Sequence, residues 1–275
     1  MRATNTAINF RLLGFILFIL FSISRSTDAI EDNTSPERIL FIGNSYLYYN
    51  DSLHNHVRRI AIAAHSHDKQ KKLKKLKYRS ITISGGRIKQ HPFEHYLVDN
   101  AIGYKEPFDI VILQGHSTSA IKEKSRQKFI DAVTRAHKVI QQHGAKTALY
   151  MTHAYAKGHK QYDEHYIDKL EKLYVDTAKK IDAIVLPVGL AFKKSLTQRP
   201  ELALHKAHDH THPNLLGTYL AACVVYSTLY QQACSGIDYD YFGNINKETV
   251  LFLQRVADET VAQFFAQNRS LNNSK

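Results

Sequence analysis

The chain has 275 residues, 44% of them hydrophobic, a formal net charge of +12 and only two cysteines, Cys223 and Cys234. That length buries one substantial core and is short for two independent catalytic domains. Two cysteines exclude a disulfide-stapled scaffold, so the core must hold the fold. The basic balance admits a polyanionic partner, but no aromatic-interleaved basic surface, zinc-knuckle spacing or helix-turn-helix pattern accompanies it, so no nucleic-acid function is expected.

Arg2 and Arg11 precede an uncharged apolar run at 12–23, which ends in small polar residues and Thr27-Asp28-Ala29. This is the pattern of a secretory signal peptide over residues 1–29. A dozen apolar residues fall short of the about 20 that span a bilayer. The expectation is one domain over 30–275, exported to the periplasm or beyond, with no stable membrane span after leader removal and an anchor only if the leader is uncleaved. Without residues 1–29 the formal charge falls to +10, because three arginines and one aspartate leave.

Downstream, short apolar runs alternate with stretches of helical period. Residues 38–43 (RILFIG) form the first expected strand and 53–65 a helix. The basic run from Lys69 to Arg79 (KQKKLKKLKYR) follows and reads as a decorated connection able to contact a polyanion such as an acidic polysaccharide or anionic lipid. A second strand is expected at 79–84, ended by Gly85-Gly86, and a third at 108–114. Phe129, Ile130, Val133, Ala136 and Ile140 recur at helical spacing until Gly144. A fourth strand is expected at 147–151, a helix marked by Tyr166, Leu170, Leu173 and Thr177, and a fifth strand at 183–188. Two helices close the chain at 215–230 and 247–266. Strands alternating with helices imply crossover connections, hence an α/β fold with a parallel five-stranded sheet in a three-layer α/β/α sandwich. Cys223 falls in an apolar stretch and reads as a buried small hydrophobe; a disulfide to Cys234 stays open.

In such sheets the functional crevice lies outside the carboxyl ends of the strands. Gly43-Asn44-Ser45 stands just past the first strand, where a serine hydroxyl attacks a carbonyl if a base takes its proton; the same residues also serve as an ordinary helix cap. Asp209-His210-Thr211-His212-Pro213 precedes an apolar helix, and its spacing lets Asp209 orient His212 as a general base. A competing reading has His205, His208, His210 and His212 with Asp209 binding a divalent metal, although no second ligand cluster accompanies them. Ser84-Gly85-Gly86-Arg87 and Gln114-Gly115-His116-Ser117 lie where the second and third strands end. Glycine there permits close backbone approach, and an amide such as Gln114 can donate to an oxyanion.

The string from Ile39 to Asn50, with Gly43-Asn44-Ser45 at its centre, resembles the first block of SGNH (GDSL-like) hydrolases in its GNS, bacterial form. Gly85 or Gly86 resembles the second-block glycine, Gln114-Gly115-His116-Ser117 the third block, and Asp209-x-x-His212-Pro213 the fifth. The resemblance implies a flavodoxin-like α/β/α fold and a serine esterase without a cofactor. Ser45 would be the nucleophile and Asp209 and His212 its acid and base. The oxyanion hole would comprise the Ser45 N–H, a Gly85 or Gly86 N–H, and, where the family more often has Gly-x-Asn-Asp, Gln114 or Ser117, of which Gln114 is preferred because its primary amide can donate as Asn does. Asn44, Tyr46, Tyr49 and Ser117 are candidate substrate contacts, and tyrosines after the nucleophile, including Tyr48, can stack on sugar rings. The polar insertions suit a short acyl group, with the O-acetyl ester of a glycan or small molecule as the expected substrate. O-acetyl transfer, a lipase or thioesterase, and a basic polyanion- or metal-binding protein are the alternatives. Asn33, Asn50, Asn268 and Asn272 head glycosylation sequons that matter only in a eukaryotic secretory path.

Overall fold

The computed structural model describes residues 35–65 and 75–273, with side chains through 269. The expected leader at 1–29, the first part of the basic run at 69–74, and the Asn33 and Asn272 sequons lie outside the described side chains.

Five strands, β1 (Arg38–Gly43), β2 (Lys77–Thr82), β3 (Ile110–Gln114), β4 (Lys146–Tyr150) and β5 (Ile184–Leu186), form one sheet in the order β2-β1-β3-β4-β5. Every neighbouring pair is parallel, so each connection must cross over a face of the sheet. Helices α1 (Ser45–Tyr48) and α2 (Leu53–Ala63) link β1 to β2, and the short α3 (Phe93–Tyr96) lies between β2 and β3. Helix α4 (Glu123–Gln142) precedes β4 and α5 (Tyr166–Ile181) precedes β5. Three helices follow the sheet: α6 (Val188–Gln198), α7 (Leu215–Tyr230) and α8 (Lys247–Asn273).

The period-2 alternation of each strand builds the layers. Ile39 and Phe41 face one core with Val57, Phe192, Leu220 and Val256, whereas Leu40 and Ile42 face a second core with Val133, Ile140, Leu170 and Tyr174. Ile110 and Ile112 divide from Val111 and Leu113 in the same way. With both faces covered, the central strands are apolar throughout. Helix α7 is buried at every position from Gly217 to Tyr230, as an all-apolar helix must be. Among the described residues no helix is long and apolar enough to cross a membrane. Cys223 and Cys234 are free, buried thiols, and burial together with the neighbouring Cys234 pushes the Cys223 thiol up.

Two elements differ from expectation. Strand β2 starts at Lys77, two residues early, so the end of the basic run is strand and not a decorated connection. Because β2 is an edge strand, Lys77 and Arg79 point to solvent while Leu76 and Tyr78 are buried, and a charged edge also discourages pairing with another chain. Strand β5 stops at Leu186, and α6 begins at once after Pro187. Proline lacks the N–H that a ladder needs and its fixed φ suits a helix start.

Candidate active site

The carboxyl ends of β1, β3 and β4 and the loop before α7 converge on one cleft. Gly43 ends β1, where a side chain is excluded: a Cβ there would lie 2.3 Å from Gln114 Oε1. Asn44 then caps α1, its Oδ1 accepting from the Tyr46 N–H at 3.2 Å, while its Nδ2 donates to the Gly86 carbonyl at 3.0 Å. This sets Ser45 at the first position of α1, only 8% exposed.

Ser45 Oγ lies 2.7 Å from His212 Nε2, and His212 Nδ1 lies 2.7 Å from Asp209 Oδ2. A carboxylate only accepts, so Nδ1 carries the ring proton and Nε2 is left to accept from Ser45. Oδ1 of the same carboxylate accepts the Thr211 and His212 N–H groups, each at 2.9 Å. Burial alone would raise the Asp209 carboxyl, but these two N–H groups and the His212 ring outweigh it and hold it at about 2.

The loop that carries Asp209 and His212 is pinned from below. His205 and Pro213 form an antiparallel bridge, the Lys206 N–H donates to the His212 carbonyl at 2.8 Å, and His153, just past β4, donates from Nε2 to the Thr211 carbonyl at 2.8 Å. The His153 ring is stacked between Tyr46 (4.5 Å, 10°) and Phe192 (4.3 Å, 7°), and burial keeps it neutral by lowering its pKa well below the ordinary value. Asn50 Nδ2 ties the turn after α1 to the same loop through the Pro213 carbonyl and Thr218 Oγ1, so this sequon asparagine serves the site's architecture.

Several expected roles need correction. Gln114 is 1% exposed; its Oε1 accepts the Asn44 N–H at 2.8 Å and its Nε2 donates to the Gly115 carbonyl, so it supports the turn from beneath and does not line the cleft where an oxyanion would form. The Gly86 N–H donates to the Ile83 carbonyl, which leaves Gly85, at φ +62° on the cleft wall, as the backbone donor of that pair. Tyr46 is 5% exposed with its hydroxyl on Thr211 Oγ1, and it packs the loop where a sugar platform was expected. The Tyr49 ring meets His212 edge-on at 4.7 Å and carries the Lys206 ammonium over one face. The four clustered histidines diverge: His205 is buried against the Ala154 carbonyl, His208 is exposed beside Asp209, and His210 packs on Gly158. Among the described residues no group of three or more metal-ligating side chains converges.

The cleft holds about 360 Å³, and His116, Ser117, Tyr155, His159 and Gln161 line it beside the triad. His153, Tyr155 and His159 carried no sequence motif, although their position just after β4 fits the strand-end rule. A larger cavity of about 620 Å³ opens at the amino ends of β4 and β5, between α4, α5 and α8. Its one histidine, His137, hydrogen-bonds Thr147 at 2.9 Å, and no serine among the described residues lines the cavity beside it, so size does not make it the reactive site.

No protein-family model matches the sequence, and no curated protein matches it. Solved structures do match. A DUF4886 family protein from Bacteroides uniformis has a TM-score of 0.59 at 15% identity, over 82% of this chain and 94% of its own. A Slackia heliotrinireducens protein assigned to the SGNH hydrolases has a TM-score of 0.53 at 20% identity, over 70% and 97%. This chain has the SGNH hydrolase fold. A variant of an acetyl-xylooligosaccharide esterase from Geobacillus stearmophilus matches the same fold with a TM-score of 0.51 at 14% identity, over 70% and 94%.

Proposed function

We propose that this chain is a serine esterase that removes short acyl groups, acetyl above all, from carbohydrate, and that it acts after export. The observation that carries the reading is the Ser45–His212–Asp209 relay, two 2.7 Å hydrogen bonds in series at the edge of a cleft. Ser45 Oγ adds to the ester carbonyl as His212 Nε2 takes its proton, Asp209 stabilises the imidazolium, and His212 then protonates the leaving alkoxide. Water, activated by the same histidine, releases the acid and restores Ser45.

The lining supports a small acyl group on a polar alcohol. A long acyl chain needs an apolar groove, whereas Ser84, Thr118, His159, Gln161 and tyrosine hydroxyls surround Ser45. Tyr48, 38% exposed on the cleft wall, offers a face to a sugar ring. The likeness to an acetyl-xylooligosaccharide esterase supports the carbohydrate part. Export rests on the leader pattern at 1–29, and N-terminal sequencing of the secreted protein tests it. A chain-length profile on nitrophenyl esters tests the acyl preference: the maximum is expected at acetate, and one at octanoate or beyond would replace the reading with a lipase or thioesterase. Acetate release without a sugar acceptor supports hydrolysis over O-acetyl transfer.

A further inference from the structure

We infer that His116 is the third oxyanion donor of this site, offering its Nε2–H to the carbonyl oxygen of the ester under attack. The inference rests on the esterase reading. As Ser45 Oγ bonds to the carbonyl carbon, the C=O π pair moves onto the oxygen, which then needs donors in place. The Ser45 and Gly85 N–H groups supply two. The Gly86 N–H is already engaged, and Gln114, 1% exposed beneath the turn, does not line the cleft.

His116 stands two residues past the end of β3 and lines the same cleft as Ser45, Gly85 and His212. Its tautomer follows from its other nitrogen. The Thr118 N–H can only donate, and it donates to His116 Nδ1 at 3.1 Å. With Nδ1 thus an acceptor, Thr118 Oγ1, which accepts from Arg87 Nη2 at 3.0 Å, donates its own proton to the same Nδ1 at 2.9 Å. Nδ1 is therefore the acceptor, and the neutral ring carries its proton on Nε2. No protein group among the described residues engages Nε2, and it is not one of the buried orphan atoms, so it meets the solvent of the cleft. Burial, and then Arg87, lower the ring's affinity for a second proton, which keeps a donor in the site without adding a charge. No proton moves from His116 in the reaction: the hydrogen bond strengthens as negative charge gathers on the oxygen and relaxes when the pair returns to the carbonyl.

Ser117 is the rival donor, since Tyr155 O–H donates to its Oγ at 3.0 Å and leaves the serine proton free. The test compares His116→Phe, which keeps a ring without a donor, His116→Gln, which restores a donor near the Nε2 position, and Ser117→Ala, on nitrophenyl acetate with the full chain. His116→Phe is expected to lower kcat about 10²-fold with KM little changed, His116→Gln to recover most of that loss, and Ser117→Ala to lower kcat clearly less than His116→Phe. Nitrogen NMR of the wild-type imidazole is expected to report the neutral Nε2–H tautomer, a readout that survives if a variant fails to fold. A His116→Phe enzyme near wild-type kcat, a His116→Gln enzyme as slow as His116→Phe, or an Nδ1–H tautomer would each overturn the inference. Ser45→Ala run alongside separates the two claims: activity retained there sinks the esterase reading itself, whereas an inactive Ser45→Ala with an unimpaired His116→Phe sinks only the role of His116.

Discussion

At the residue scale the relay assigns unequal work to similar side chains. His212 is held between Ser45 and Asp209, while His208 reaches Asp209 Oδ2 at 3.2 Å with 72% of its side chain exposed and does not touch Ser45, and His210 faces Gly158. Ser45→Ala and His212→Ala are therefore expected to cut kcat/KM on nitrophenyl acetate on the order of 10⁴-fold without unfolding the protein. His208→Ala and His210→Ala should stay within about tenfold, a small fraction of a triad loss. Equal damage from all three histidine changes, reversed by added zinc, would restore the metal reading. Spacing and strand ends pointed to Ser45, Asp209 and His212, which the fold brings within hydrogen-bond reach, whereas Gln114 at a strand end lies beneath the turn and off the cleft lining. Which way a side-chain amide turns depends on the Asn44 N–H and Gly115 carbonyl that the fold brings to it, and no local pattern encodes that.

At the scale of elements, the start of α7 clamps the triad loop. Asn214 caps the helix by accepting from the Gly217 N–H at 3.0 Å, and its own N–H donates to the Leu204 carbonyl at 2.9 Å. Gly217 packs so closely on that loop that a Cβ would sit 2.3 Å from the Leu204 carbonyl oxygen. Gly217→Ala must push the loop and helix apart, at about 1–3 kcal/mol as overpacking usually costs. A lowered denaturation midpoint with a fall in kcat is expected from urea titration and kinetics; an unchanged midpoint would mean that the two segments are not rigidly coupled. Strand β1 and helix α7 lie where the sequence placed them, at Arg38–Gly43 and Leu215–Tyr230, because both are apolar enough to be buried on every side. Strand β2 and helix α6 were less legible. The lysines of an edge strand mask its alternation, and Pro187 joins strand to helix without a loop, so the apolar run at 183–188 spans two elements.

Across the whole molecule, the fold buries histidines as neutral groups. Burial lowers the pKa of His54 to about 4 from 6.5, and it lowers those of His56, His91, His153 and His205 as well. A depressed folded-state pKa means that the unfolded chain binds more protons, so the stability these groups contribute is present above the unfolded value and is lost as pH falls through it. The melting temperature is therefore expected to drop as pH falls from 7 towards 4, with the steepest loss below 6.5. Scanning calorimetry in buffers of matched ionic strength measures it, and a flat or rising profile over that window would contradict the burial of these rings.

The central claim, that Ser45 is the nucleophile activated by His212 and Asp209, is tested most directly by a fluorophosphonate probe followed by peptide mass spectrometry. One adduct per chain is expected, carried by Ser45, absent from Ser45→Ala and formed far more slowly in His212→Ala. An adduct on another residue, or a Ser45→Ala protein that labels and hydrolyses acetate esters like the wild type, would contradict it.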